Sequence, residues 1–173
     1  MKILNLHGLN GSSKNTNYRF LSEYFANKED VEIVSPQLDY ATHSPSTILA
    51  EIITACPNPD IIVGNSFGGF FAYIAAVYTG AKLLLINPCI PPHKYIKDLV
   101  PDYKYTDILK DLWNRYSNVH VQYDLLLGDN DTVLDIKTTL NNLKPENDRF
   151  KIISGGHSLS GAEYEKWFKE KLS

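Results

Sequence analysis

Short apolar runs alternate along this chain with stretches of helical periodicity, and this alternation limits the fold more than any other feature of the sequence. Repeated strand–helix units of this kind are typical of a parallel sheet covered by helices on both faces. The run at 60–64 is almost wholly apolar, which predicts a central strand, because strands covered on both faces lose the apolar–polar alternation. Six strands are predicted, over residues 2–6, 31–34, 60–64, 82–86, 121–127 and 150–153.

The sequence also contains residues that predict helix ends, and one long connection between two strands. Ser46 is a candidate N-cap for the helix before the third strand. Gly80 is a candidate left-handed cap for the helix predicted at 70–78. The segment 87–117, between the fourth and fifth strands, is rich in proline and tyrosine at its start and helical at its end. We interpret it as a small insertion suited to act as a lid.

The composition fits one globular domain, 1–173. A chain of this length buries roughly 70 % of its unfolded surface, and 43 % hydrophobic with 21 % charged residues excludes a disordered chain. The net charge of -3 and the lack of a basic run lead us to expect no nucleic-acid partner. No apolar run approaches the ~20 residues of a membrane span, and the sequence enters a strand at once without a signal peptide. We therefore expect a cytoplasmic protein with no membrane partner.

The cysteines and most histidines carry no sign of a metal site. Cys56 and Cys89 do not form a C-x-x-C pair, and we expect reduced thiols. His43, His93 and His120 lack the spacing of metal ligands. The expected chemistry therefore uses neither a metal nor an organic cofactor.

The segment Gly64-Asn65-Ser66-Phe67-Gly68 fits the pattern G-x-S-x-G. It lies between an apolar strand and an apolar helix, which is the setting in which this pattern presents a nucleophilic serine. Glycines on both sides of the tight turn leave room for neighbouring backbone, so the hydroxyl stands above the sheet. The alternative is a glycine-rich turn whose serine caps the helix, but no phosphate-binding G-x-G-x-x-G or G-K-[S/T] pattern is present.

A serine hydroxyl becomes a nucleophile when a base takes its proton and an acid orients that base. Asp131 follows the fifth strand, and His157 follows the sixth in a glycine-flanked loop. The carboxyl ends of parallel strands share one edge of the sheet, so Ser66, Asp131 and His157 are expected to meet there. Asp129 is the alternative acid, and Asp131 has the alternative role of capping the following helix.

Acyl chemistry also requires two N–H donors for the oxyanion. Phe67, the residue after the candidate nucleophile, is expected to supply one through its backbone. Leu9, in the loop after the first strand, is expected to supply the other, because Gly8 lets the chain bend. We interpret His7 as a residue that shapes this loop rather than as a catalytic residue.

In their order along the chain, these blocks resemble the small α/β-hydrolase-fold esterases of the YqiA/YcfP type. The resemblance runs from end to end and is carried by His7-Gly8, Gly64-Asn65-Ser66-Phe67-Gly68-Gly69, Asn87-Pro88-Cys89-Ile90-Pro91-Pro92, Asp131-Thr132-Val133-Leu134-Asp135 and Gly155-Gly156-His157. It implies a three-layer α/β-hydrolase fold with strand order 2-1-3-4-5-6. It also implies Ser66 as nucleophile, Asp131 rather than Asp129 as acid, and His157 as base.

The expected reaction is hydrolysis of a small carboxylic ester or thioester through an acyl-Ser66 intermediate. The insertion is too short for a large cap, which predicts an open site and short acyl chains. Two alternatives remain: an inactive fold that binds a small molecule or protein through the aromatic segment 95–116, and acyl transfer or amide cleavage by the same residues. Cys89 has only His93 near it in sequence, so we do not expect it to be a reactive thiol.

Overall fold

A computed structural model describes residues 1–173. Six strands form one sheet in the order β2-β1-β3-β4-β5-β6, and every neighbouring pair is parallel. The strands are β1 (Lys2–Leu6), β2 (Glu32–Val34), β3 (Ile61–Asn65), β4 (Lys82–Ile86), β5 (Tyr123–Gly128) and β6 (Phe150–Ile153). The predicted strand order and the parallel sheet are confirmed.

Helices cover both faces of this sheet. They are α1 (Thr16–Tyr24), α2 (Pro45–Ala55), α3 (Phe67–Thr79), α4 (Ile96–Leu99), α5 (Thr106–Tyr116), α6 (Ile136–Leu143) and α7 (Ala162–Leu172). Side chains of α2, α3, α5 and α6 pack in the larger apolar core, and side chains of α1 and α7 pack in the smaller one. The molecule therefore has three layers, with the sheet in the middle.

The central strand β3 shows why its sequence is apolar throughout. Ile62 packs in the larger core, whereas Ile61 and Val63 pack in the smaller core on the other face. Successive side chains of a strand point to opposite faces, and here both faces are covered by helices. A polar residue at any of these positions would be buried.

Two predicted helix starts are wrong. Ser44, and not Ser46, is the N-cap of α2, and its hydroxyl oxygen accepts from the Thr47 N–H at 3.2 Å. The cap lies earlier because Pro45 occupies the first helical position, where its missing N–H costs no hydrogen bond. Helix α3 begins at Phe67 rather than at residue 70, since its two glycines lie in the first turn. The predicted left-handed cap at Gly80 is confirmed, with a φ of 70°.

The segment 87–117 contains a 3-10 turn (Pro92–Lys94), the short helix α4 and the longer helix α5. Ile96, Leu109 and Trp113 anchor it, because all three are buried in the larger core. The role of this segment as a lid stays a prediction. No helix of the protein combines the length and the apolar composition that crossing a membrane requires.

Candidate active site

Ser66 lies at the carboxyl edge of the sheet, between the end of β3 and the start of α3. Its φ of 51° is in the left-handed region, which is uncommon for a residue with a side chain and marks local strain. A Cβ on Gly64 would lie 2.5 Å from the Ala72 Cβ. A Cβ on Gly68 would lie 2.2 Å from the His7 carbonyl oxygen. The turn therefore needs glycine on both sides of Ser66.

Backbone hydrogen bonds hold this strained turn in place. The Ser66 N–H donates to the Ile86 carbonyl at 3.1 Å. The Ser66 carbonyl accepts from the N–H groups of Gly69 at 2.9 Å and Cys89 at 2.8 Å. The end of β4 and the loop after it thus fix the backbone from which the hydroxyl projects.

The structure brings Ser66, His157 and Asp131 together in one hydrogen-bonded chain. His157 Nδ1 lies 2.8 Å from Asp131 Oδ2, and His157 Nε2 lies 2.8 Å from Ser66 Oγ. A carboxylate can only accept, so Nδ1 carries the proton and Nε2 of the neutral ring accepts from the serine hydroxyl. This is the arrangement that a general base requires.

Asp131 is held in its ionised form. Burial by itself would raise the pKa of this carboxyl, since its side chain is only 2 % exposed. The hydrogen bond to His157 and the N–H donors of Leu134 at 3.0 Å and Val133 at 2.8 Å lower the pKa and outweigh burial. Asp131 does not cap the following helix, because the N-cap of α6 is Asp135.

Asp129, the alternative acid, has a different partner. Its Oδ1 accepts from the Gly155 N–H at 3.0 Å, in the loop that precedes His157. Its own N–H donates to the Ile153 carbonyl at 2.9 Å. Asp129 therefore joins the two loops through the backbone, and the histidine ring is bonded to Asp131.

Asn87 connects the same two loops from the end of β4. Its Nδ2 donates to the carbonyls of Gly156 at 3.1 Å and His157 at 2.8 Å, and its Oδ1 accepts from the Gly128 N–H at 2.9 Å. The side chain is buried, and the φ of 39° turns it towards these loops. Every hydrogen bond of this amide thus goes to a segment that carries Asp131 or His157.

The two predicted oxyanion donors flank Ser66. Phe67 is the first residue of α3, where the N–H has no acceptor within the helix. The loop with Leu9 packs against the serine, since a Cβ on Gly8 would lie 3.1 Å from the Ser66 Cβ. No protein group accepts from the Leu9 N–H. Neither N–H group therefore has an acceptor in the protein.

His7 fixes the shape of that loop. The Leu38 N–H donates to His7 Nε2 at 2.9 Å, so Nε2 is the acceptor and Nδ1 carries the proton. His7 Nδ1 then donates to the Gly8 carbonyl at 2.7 Å. Burial lowers the pKa of His7, although the hydrogen bond to Gly8 opposes this effect. The lowered pKa favours the neutral ring, which is the form that can accept at Nε2 and donate at Nδ1.

A cleft of about 230 Å³ opens beside Ser66 and His157. It lies between the Gly8–Leu9 loop, the start of α1 and the loop after His157. Asparagine, serine and threonine make up half of its lining residues, and no Lys, Arg, Asp or Glu contributes. The structure contains no cluster of three His, Cys, Asp or Glu residues suited to hold a metal ion.

Three asparagines of this region were not predicted from the sequence as site residues. Asn65 ends β3 and Asn87 directly follows β4, so both obey the edge rule that located Ser66. Asn17 lines the cleft from α1 and had no such signal. Its oxygen is bound by Tyr164, which lies 147 residues away in the chain.

The sheet order and the edge position of Ser66 define an α/β-hydrolase fold, and solved structures share it. An S-formylglutathione hydrolase from Staphylococcus aureus superposes with a TM-score of 0.59 at 19 % identity, covering 99 % of this chain and 77 % of that chain. The esterase domain of a Rhodothermus marinus protein gives 0.64 at 15 % identity, covering 99 % and 84 %. At these identities the likeness concerns the fold.

The chain belongs to the uncharacterised protein family UPF0227, whose model matches residues 2–168. A UPF0227 protein from Shewanella sp. strain ANA-3 is 27 % identical over 151 residues, which covers 83 % of each chain. The match confirms the family resemblance seen in the sequence blocks.

Proposed function

We propose that this protein is a serine esterase that hydrolyses small carboxylic esters or thioesters. The observation that carries the proposal is the chain Asp131–His157–Ser66, with both bonds at 2.8 Å, at a strained turn beside free N–H groups. A protein that only binds a ligand does not need a serine hydroxyl bonded to a histidine that is itself bonded to an ionised carboxylate. The fold shared with esterases and thioesterases supports the same proposal.

In the first half of the proposed reaction, Ser66 Oγ attacks the carbonyl carbon and its proton passes to His157 Nε2. The carbonyl oxygen becomes an oxyanion, which the N–H groups of Phe67 and Leu9 bind. Asp131 stabilises the protonated ring. When the tetrahedral intermediate collapses, the bond to the alcohol or thiol breaks, and the leaving group takes the proton from His157.

In the second half, a water molecule attacks the acyl-Ser66 carbonyl and gives one proton to His157 Nε2. Collapse of this intermediate returns the proton to Ser66 Oγ and releases the carboxylic acid. Water needs access to the ester during this step, and the cleft beside Ser66 and His157 provides it.

A fluorophosphonate probe tests the proposal, because only an activated serine reacts with it. We expect stoichiometric labelling of the wild-type protein, located at Ser66 by peptide mass spectrometry, and no labelling of Ser66→Ala. A series of p-nitrophenyl esters of increasing chain length then defines the acyl group, and we expect the shortest chains to be preferred. An unlabelled wild-type protein without activity on any ester would favour the inactive binding protein.

A further inference from the structure

Two amides beside Ser66, those of Asn15 and Asn65, have an orientation that their hydrogen bonds determine. The Tyr18 N–H can only donate, so the atom of Asn15 that lies 2.9 Å from it is Oδ1. Asn15 Nδ2 then donates to Asn65 Oδ1 at 3.1 Å. This leaves Asn65 Nδ2 as the free end of its side chain, with no acceptor in the protein.

The free Asn65 amide lies next to the reacting groups. A Cβ placed on Gly8 would be 3.4 Å from Asn65 Nδ2 and 3.1 Å from the Ser66 Cβ. The donor is therefore adjacent both to the candidate nucleophile and to the loop that carries Leu9.

Asn17 supplies a second free donor on the α1 side. Its side chain is almost fully buried, at 4 % exposure, and lines the same cleft. Its Oδ1 accepts from the Tyr164 hydroxyl at 2.6 Å, and its Nδ2 is buried without any acceptor. A buried donor without a partner is costly, so a ligand oxygen that reaches Asn17 from the cleft would stabilise it.

The position of the cleft relative to His157 favours one part of an ester as its occupant. The leaving oxygen must lie within reach of His157 Nε2, which gives it a proton. His157 and Ser158 form one wall of the cleft, so the alcohol part of the ester extends along it. No Lys or Arg is present to pair with a phosphate on that part, and Asn65 and Asn17 are among the residues that line the cleft.

We propose that the cleft binds a neutral, polyhydroxylated alcohol, and that the substrate is a short-chain oxygen ester of a glycerol-like or sugar-like compound. Asn65 Nδ2 and Asn17 Nδ2 donate to its oxygens. The inference rests on the proposed esterase function and narrows it to one substrate class. A site that hydrogen-bonds substrate hydroxyls discriminates strongly against an analogue in which methyl groups replace them.

Two esters of equal shape test this. Glycerol 1-acetate and 2-methylbutyl acetate share the acyl group and differ only in having two hydroxyls or two methyls. We expect the kcat/KM of the wild-type protein, followed by acetate release, to favour the glycerol ester by about tenfold or more. The ratio of the two values cancels any change in the common chemical step.

Variants then test the two amides. We expect Asn65→Leu to lower the ratio about fivefold or more. Asn17→Leu would leave the Tyr164 hydroxyl unpaired, so it is made in a Tyr164→Phe background and compared with Tyr164→Phe alone, and the same fall is expected. Asn141→Leu, on an exposed residue of α6, is the surface control and should leave the ratio unchanged.

The outcomes separate the two proposals. Hydrolysis of both acetates at equal rates, or a preference for the methyl analogue, would overturn the polyol inference and leave the esterase function standing. A preference for the glycerol ester that neither asparagine substitution reduces would overturn the roles of Asn65 and Asn17. Absence of any ester hydrolysis by the wild-type protein would overturn the esterase function and this inference with it.

Discussion

Asp131 and Asp129 are two positions apart in one loop, and their carboxylates have different partners. We expect Asp131→Asn to lower kcat by a factor of about 10⁴, because the amide favours the wrong tautomer of His157. Asp129→Asn should cost about tenfold or less, since it only weakens one bond to the Gly155 N–H. Steady-state kinetics of the two variants, measured side by side, give the comparison, and the opposite ranking would assign the role to Asp129.

Cys89 is the other group near Ser66 with nucleophilic chemistry. Its side chain is fully buried, and burial together with the charge of Asp131 raises the pKa of the thiol well above its ordinary value. A protonated, buried thiol is inert. We therefore expect Cys89→Ser to keep most of the esterase activity and all of the fluorophosphonate labelling. A loss as large as that of Ser66→Ala would show that the thiol takes part.

The sequence alone was sufficient to predict those site residues that directly follow a strand. Ser66, Asp131 and His157 each follow a strand, and parallel strands bring such residues to one edge. Asn17 lay outside that rule, because its role depends on Tyr164 and on the packing of α1 against α7. The choice of Asp131 over Asp129 came from the family resemblance, and the bonds that separate the two carboxylates appear only in three dimensions.

Among the secondary-structure elements, the loops after β4, β5 and β6 are held together by the hydrogen bonds of the Asn87 side chain. We expect Asn87→Gly to lower kcat by about 10- to 100-fold with little change in KM, because His157 loses its fixed position. Glycine accepts the φ of 39° without strain, so only the side chain is lost. The unfolding free energy should fall by about 1–3 kcal/mol, since buried groups of Gly128 and His157 lose their partners.

Urea unfolding and steady-state kinetics measure the two effects of Asn87→Gly. Asn141→Gly, on the exposed surface of α6, is the control for kcat only, because glycine within a helix itself lowers stability. Equal kcat values in the two variants would show that Asn87 serves stability alone.

Element boundaries were predicted less well than element order, and for local reasons. The start of α2 differs from the prediction because proline, usually a loop residue, fits the first turn of a helix at Pro45. The start of α3 was misplaced because Gly68 and Gly69 suggest a loop, whereas here they allow close packing against β1 and the loop after β4. The apolar pattern alone does not distinguish these cases.

At the scale of the whole molecule, Asp131 links the active site to acid stability. Its pKa in the folded protein is held below the ordinary 3.8, so its stabilising effect is complete above that value and is lost as the pH falls below it. We expect the difference in unfolding free energy between wild type and Asp131→Asn to be constant above about pH 5 and to shrink below about pH 4. Urea unfolding at several pH values measures it, and a difference that grows on acidification would contradict this account.

Sheet order was predictable in full, because the resemblance to known hydrolases supplied it and the strand pattern was consistent with it. The polar cleft was not, since its walls come from separate segments: the loop after β1, the start of α1, the ends of β3 and β4 and the loop after β6. Which side chains meet across such a cleft is decided by packing on both faces of the sheet. The substrate class that the cleft accepts therefore depends on how the whole molecule packs.

The proposed esterase function depends above all on Ser66 as the nucleophile. Its most direct test is the turnover of p-nitrophenyl acetate by the wild-type protein and by Ser66→Ala, with thermal unfolding of both as the control for folding. We predict that the substitution lowers kcat/KM by about 10⁴-fold or more and leaves the unfolding temperature nearly unchanged. A folded Ser66→Ala protein with undiminished turnover would show that Ser66 is not the nucleophile.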